Sequence, residues 1–230
     1  MPTLLLRLVG PMQAWGIQSN YAHRDTALEP SKSGVIGLIC AALGRPRSEP
    51  INDLASLIMG VRVDREGVVL RDYHTAGIDG FLRAGGDVER KNAILSERFY
   101  LADAAFLVGL QGDDIALLRQ IQNALEHPQW MLCLGRKAFA PSEPVALPDG
   151  LRDTDLWTAL TDYRPRLRPK RHRLDDDRVR LMLEDETGDI VRRDQPLSFE
   201  KGNRRFTARR LRVEYYDLTA LEEALCTSPA

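Results

Sequence analysis

The chain has 230 residues, 43% hydrophobic and 28% charged, the profile of a soluble globular protein with room for one large domain or two small ones. Its formal net charge is −1, so no global basic field announces a nucleic-acid partner, and any such partner must be argued from local clusters. Cys40, Cys133 and Cys226 are odd in number and far apart, with no CxxC and no neighbouring His/Cys cluster. That argues against a zinc site and fits buried thiols in a reducing compartment.

The N-terminus lacks a charged n-region and an A-x-A site, and the longest apolar stretch, 35–43, is too short to span a bilayer. A cytoplasmic location with no membrane partner is expected. Residues 3–9 are mostly apolar and read as a central strand covered on both faces. Gly10-Pro11 ends it. A polar crossover follows, and then a helix with Ser31 or Ser33 as N-cap candidates, a nearly all-apolar body and Gly44 at its end. Gly34 and Gly37 permit close backbone approach there.

Residues 51–59 read as a short helix. Residues 59–64 and 68–73 read as a hairpin around Arg65-Glu66-Gly67. From 74 to 98 the glycines at 77, 80, 85 and 86 punctuate a polar stretch, expected to be an extended arm rather than core. Residues 98–110 return to strand character. Asp113-Asp114 then cap an amphipathic helix whose stripe is Ile115, Leu118, Ile121 and Leu125. A strand at 130–134 leads into Gly135-Arg136-Lys137 and a Pro-rich turn.

The element order approximates β-α-β-β-α-β, the ferredoxin-like plan also used by RRM domains, in an α+β protein. The expected division is an RRM-like palm over 1–148 with the arm 75–98 inserted as a thumb, a small β-rich C-terminal part over 149–218, and a C-terminal helix and tail over 219–230. Within the C-terminal part, 153–162 reads as helix, 179–184 and 189–193 as a hairpin around Thr187-Gly188, and 211–216 as the last strand.

Several groups of residues point toward a polyanion, each with a structural alternative. Lys32-Ser33 lack the upstream glycines of a P-loop, so nucleotide hydrolysis is not expected. A helix opening on Lys32, Ser33 and Gly34 can still hold a phosphate, or be no more than a capped helix. Trp15, after the strand break, can stack on a base or close the core edge. Basic clusters at 164–173 and at Lys201, Arg204, Arg205, Arg209, Arg210 and Arg212 can track a phosphate backbone or form solvated faces balanced by acids. His23 and His74 border the crossover and the arm, where a metal-independent nuclease could use a histidine as general base, but nothing pairs them in sequence. No metal or cofactor is expected.

The segments GPMQAWG (10–16), PSKSGVIGLICAALG (30–44), RFYLADAAFLVGL (98–110) and LGRKAFAPSEPV (134–145), in this order and spacing, resemble the CasD family. That family supplies the type I-E CRISPR Cascade subunit that holds the 5′ end of the crRNA, within the RAMP superfamily. The resemblance implies a non-catalytic antiviral subunit that binds the crRNA 5′ handle, caps the CasC filament and contacts CasA, with target DNA met only indirectly. It implies that Gln13, Trp15 and Gly16 face the handle and that Lys32, Ser33 and Gly34 meet phosphates. Arg136 and Lys137 become phosphate ligands, and Arg24, Arg83, Lys91 and Arg98 complete the RNA-facing set. In type I-E systems CasE cuts the pre-crRNA, whereas in type I-C the corresponding protein cuts it itself. A metal-independent endoribonuclease is therefore the enzymatic alternative.

Overall fold

A computed structural model describes residues 1–16, 22–77, 79–83, 85–90, 92–164, 167 and 178–218. The expected C-terminal helix and most of the 164–173 basic cluster, like Lys91, lie outside these residues. In chain order the elements are β1 (Thr3–Val9), β2 (Met12–Gln13), β3 (His23–Arg24), α1 (Lys32–Leu43), α2 (Asn52–Ala55), β4 (Ile58–Arg65) and β5 (Val68–Ala76). There follow β6 (Phe81–Leu82), β7 (Val88–Glu89), β8 (Ile94–Ala102), β9 (Ala105–Gln111), α3 (Ile115–Glu126), β10 (Ala146–Arg152), α4 (Leu156–Asp162), β11 (Arg178–Glu184), β12 (Ile190–Ser198) and β13 (Arg205–Asp217).

The main sheet has seven strands in the order β10-β1-β9-β4-β11-β13-β12, every neighbouring pair antiparallel. β1 lies between β10 and β9 and is covered on both faces, as its apolar run demands. Leu4, Leu6 and Leu8 enter the larger core with α1 and α3, while Leu5 enters a smaller core with Leu107, Leu156 and Leu160. Ser31 caps α1 by accepting from the Gly34 amide, and Gly44 ends the helix at φ 72°. Asp114 caps α3 through the Leu117 amide, and of its expected stripe Leu118, Ile121 and Leu125 are buried while Ile115 stays exposed.

α4 settles on the second face because two glycines leave it a trough. Gly60 of β4 and Gly109 of β9 are directly opposed across the ladder. A Cβ at Gly60 would meet Leu160 at 2.8 Å, and one at Gly109 would meet Leu156 at 2.6 Å. Fully buried Arg62 then reaches the C-terminal end of α4, donating to the carbonyls of Leu160 and Tyr163 at 2.7 Å each while Asp64 neutralises it at 2.6 Å. A cation at a helix C-terminus complements the helix dipole.

Four expectations are corrected. The 59–64 and 68–73 segments do not pair with each other. β4 enters the main sheet between β9 and β11, and Glu66-Gly67, with Gly67 at φ 75°, is a corner into a second sheet. The 98–110 strand is two strands, broken at Asp103, whose φ of 59° is the one positive value at a non-glycine among the described residues. The 179–184 and 189–193 strands do not form a hairpin, because β13 lies between them. Residues 130–134 carry no strand. β11 continues the main sheet directly from β4.

The second sheet is built on β8. β5 pairs along all nine residues of one edge, and β2 and β3 pair along the other. This ladder of nine residues, about 30 Å long, runs into both ends of the 75–98 arm, and β6 and β7 form a small hairpin near the tip. Its glycines sit at the turns: Gly77, Gly80 and Gly86 all have positive φ.

Candidate nucleic-acid interface

Pairing β3 with β8 in parallel sets Arg24 directly beside Arg98. Like charges facing each other across strands destabilise a sheet by some tenths of a kcal/mol up to about 1. A third arginine joins them from the turn at 134–139. That turn closes through Leu134 N donating to Phe139 O at 2.7 Å and Phe139 N to Arg136 O at 2.9 Å. It is fastened to the first strand break by Ala14 N donating to Leu134 O at 3.0 Å. Gly135 makes this approach possible: its φ is 92°, and a Cβ there would sit 1.7 Å from the Ala14 carbonyl oxygen.

So fastened, half-buried Arg136 donates to the Phe99 carbonyl of β8 at 2.8 Å and lies over the Phe139 ring, 5.5 Å from its centroid. Burial pushes its ionisation below the ordinary arginine range, and Arg98 and Arg24 push it further the same way. Asp72, opposite Arg98 on β5, and Asp25 offset this only in part. Asp25 Oδ1 is itself buried without a hydrogen-bond partner among the described residues. Lys137 and Gly16 are exposed at the same turn and strand break. The result is a group of three arginines drawn together by backbone geometry.

Other expected ligands are placed elsewhere. Trp15 is 1% exposed, so it closes the core and presents no face to a base. Its indole N–H donates to Gln13 Oε1 at 3.2 Å, and fully buried Gln13 in turn donates to the carbonyls of Leu8 and Ala104. Gly34 is required by this tryptophan, since a Cβ there would meet the indole at 2.9 Å. Gly37 has nothing within 4 Å and no such role.

Lys32 is also drawn into the fold. It is 1% exposed, and its ammonium contacts both carboxylate oxygens of Glu184 at 3.0 Å. Its backbone N–H donates to Asp194 Oδ2 at 2.8 Å. The anion that the N-terminus of α1 attracts is thus an internal carboxylate, itself held by Arg209 at 2.7 and 2.9 Å. Ser33 is half-buried at the same end. Arg83, on the ribbon tip, pairs with Glu89 and Asp87.

His23 lies 3.4 Å from Glu97 and its ring is 5.1 Å from that of Phe99, while His74 lies 3.6 Å from Asp72. What residue patterns could not reveal was Arg98 beside Arg24, Phe139 beneath Arg136, and Asp72 opposite. Each depends on strand register, and only the turn signals around Gly135 hinted at it.

An arginine-lined mixed sheet beside an antiparallel main sheet fits a nucleic-acid-handling protein, and comparison with known sequences and structures makes this specific. The family described as CRISPR-associated protein (Cas_Cas5) matches residues 3–212, so the chain belongs to that family. It is 33% identical over 175 residues to the CRISPR system Cascade subunit CasD of Escherichia coli (strain K12), covering 70% of this chain and 77% of that one. A crystal structure of a Cas protein superposes with a TM-score of 0.73 at 44% identity, covering 93% of this chain and 94% of the other. A chain of a CRISPR RNA-guided surveillance complex superposes with a TM-score of 0.78 at 36% identity, covering 94% and 90%. No helix of the described residues is long and apolar enough to cross a membrane.

Proposed function

We propose that the chain is a non-catalytic subunit of a Cascade-type CRISPR surveillance complex and that Arg24, Arg98 and Arg136 hold the phosphate backbone of the crRNA 5′ handle. The observation that carries this reading is the convergence of three arginines from β3, β8 and the 134–139 turn. Family membership and the likeness to CasD supply the class of partner. Phosphate contacts set register, and identity is read from unstacked bases and 2′-hydroxyls.

The strands β1, β4, β9 and β10, taken with α1 and α3, follow the order of a ferredoxin-like palm, and the ribbon β5–β8 serves as its thumb. Val68, Val69, Leu70, Tyr73, Ile94 and Leu95 leave that ribbon apolar and exposed. This suits a partner protein such as the CasC backbone subunit, with CasA as the second contact. A cytoplasmic setting follows from such an assembly.

Co-expression tests the reading. With CasC and a transcript carrying the 5′ handle, the chain is expected to co-purify in one particle containing that RNA, cut only when CasE is present. Cleavage of repeat RNA by the purified chain alone in EDTA, lost in His23→Ala or His74→Ala, would establish the endoribonuclease instead.

A further inference from the structure

The basic run near the C-terminus separates into two sets in the folded protein. Arg209 is buried on Asp194 and Glu184. Arg210 donates to the Gly188 carbonyl at 3.0 Å, and Arg212 lies 3.2 Å from Glu214 and 3.5 Å from Asp185. Arg209 and Arg212 thus meet carboxylates, and Arg210 meets a backbone carbonyl.

The turn between β12 and β13 is different. Lys201, Arg204 and Arg205 are exposed there, and none has a carboxylate partner among the described residues. The turn's own acid, Glu200, accepts from Asn203 Nδ2 at 3.0 Å. Two half-buried aromatics anchor the turn, Phe199 and Phe206, with ring centroids 6.4 Å apart. The Arg204 guanidinium lies over the Phe206 ring, 5.0 Å from its centroid. Stacking of this kind fixes the guanidinium plane and leaves its N–H edge outward. Exposed Arg47, from the loop after α1, also lacks a carboxylate partner among the described residues, although Glu49 is close in sequence. Burial, and then the charge of Arg47, push Arg204 below the ordinary arginine range.

We infer that Arg47, Lys201, Arg204 and Arg205 form a second nucleic-acid surface, which grips a phosphodiester backbone at the C-terminal end of α1. It is separate from the Arg24–Arg98–Arg136 cluster. That cluster is tied through Ala14 and Trp15 to the N-terminal end of α1, and the helix is about 18 Å long. Cationic donors drawn from two segments suit phosphates recurring along a strand, and the bidentate geometry of guanidinium suits their oxygens. The inference does not rest on where the handle binds.

The test uses the full chain and the double variant Arg47→Gln/Arg204→Gln, whose exposed positions leave the core intact. Thermal unfolding of both proteins confirms an equal fold. Binding is measured across a salt series for a 20-base-pair DNA duplex, for a single-stranded RNA without a handle, and for poly-glutamate. The double variant is expected to bind duplex or RNA more weakly, with the log–log salt slope reduced by about 2. The probe that shows the reduction identifies the source of the phosphates. Arg98→Gln/Arg136→Gln combined with the double variant is expected to show both reductions together, marking the surfaces as separate. Unchanged affinity and slope for both nucleic acids would overturn the inference. So would an equal loss for poly-glutamate, which would assign the patch to an acidic protein surface.

Discussion

Trp15 decides how the first strand break is used. Its indole fills the space that Gly34 leaves open and hydrogen-bonds Gln13, so the pair forms a buried brace between β2 and α1. Trp15→Ala is expected to cost about 3–5 kcal/mol of stability through the cavity it leaves, read as a lowered midpoint in denaturant unfolding. Handle affinity of the fraction still folded is expected to stay unchanged. Lost affinity at unchanged stability would return Trp15 to the RNA surface. The residues alone left this open, because a tryptophan after a Gly-Pro break serves a core edge and a stacking face equally well. The family resemblance put the three arginines in the RNA-facing set, but the residues did not show that they converge. Arg24 and Arg98 are 74 positions apart in sequence, and only the parallel pairing of β3 with β8 makes them neighbours.

Elements whose signals are local were read correctly. α1 with Ser31 and Gly44, and α3 with Asp114, carry their caps and periodicity within a few residues. β8 and β9 were merged because nothing in their composition marks Asp103 as the break between two sheets. β13 was set outside a hairpin it in fact divides, because pairing order is a long-range property. The N-terminus of α1 illustrates how such elements are joined. Lys32, Glu184, Asp194 and Arg209 form an internal ionic network linking the helix to β11, β12 and β13. Burial holds the Lys32 ammonium below its ordinary pKa, and Glu184 is the chief opposing influence. Glu184→Gln therefore leaves a buried cation without its main counter-ion, expected to cost about 3 kcal/mol. The pH dependence has a definite sign. With the folded pKa of Lys32 lowered further, the unfolded chain holds more protons in the window just below the ordinary lysine value. Stability of the variant is then expected to rise with pH across that window. Denaturant midpoints measured from neutral to alkaline pH check both statements. A variant as stable as the parent, with no added pH dependence, would mean that the network does not hold the helix.

At the scale of the molecule, a near-neutral chain concentrates its positive charge by position rather than by amount. The main sheet buries its ionic groups in pairs, Arg62 with Asp64 and Arg209 with Asp194. The second sheet sets Arg24 beside Arg98, and its ribbon β5–β8 carries exposed apolar residues. The most direct test is the affinity of the purified chain for handle RNA across a salt series, with Arg24→Gln/Arg98→Gln/Arg136→Gln alongside the parent. The parent is expected to lose affinity steeply with salt, and the triple variant to bind more weakly with a log–log slope smaller by about 3. Equal affinity and equal slope in the two proteins would contradict the account.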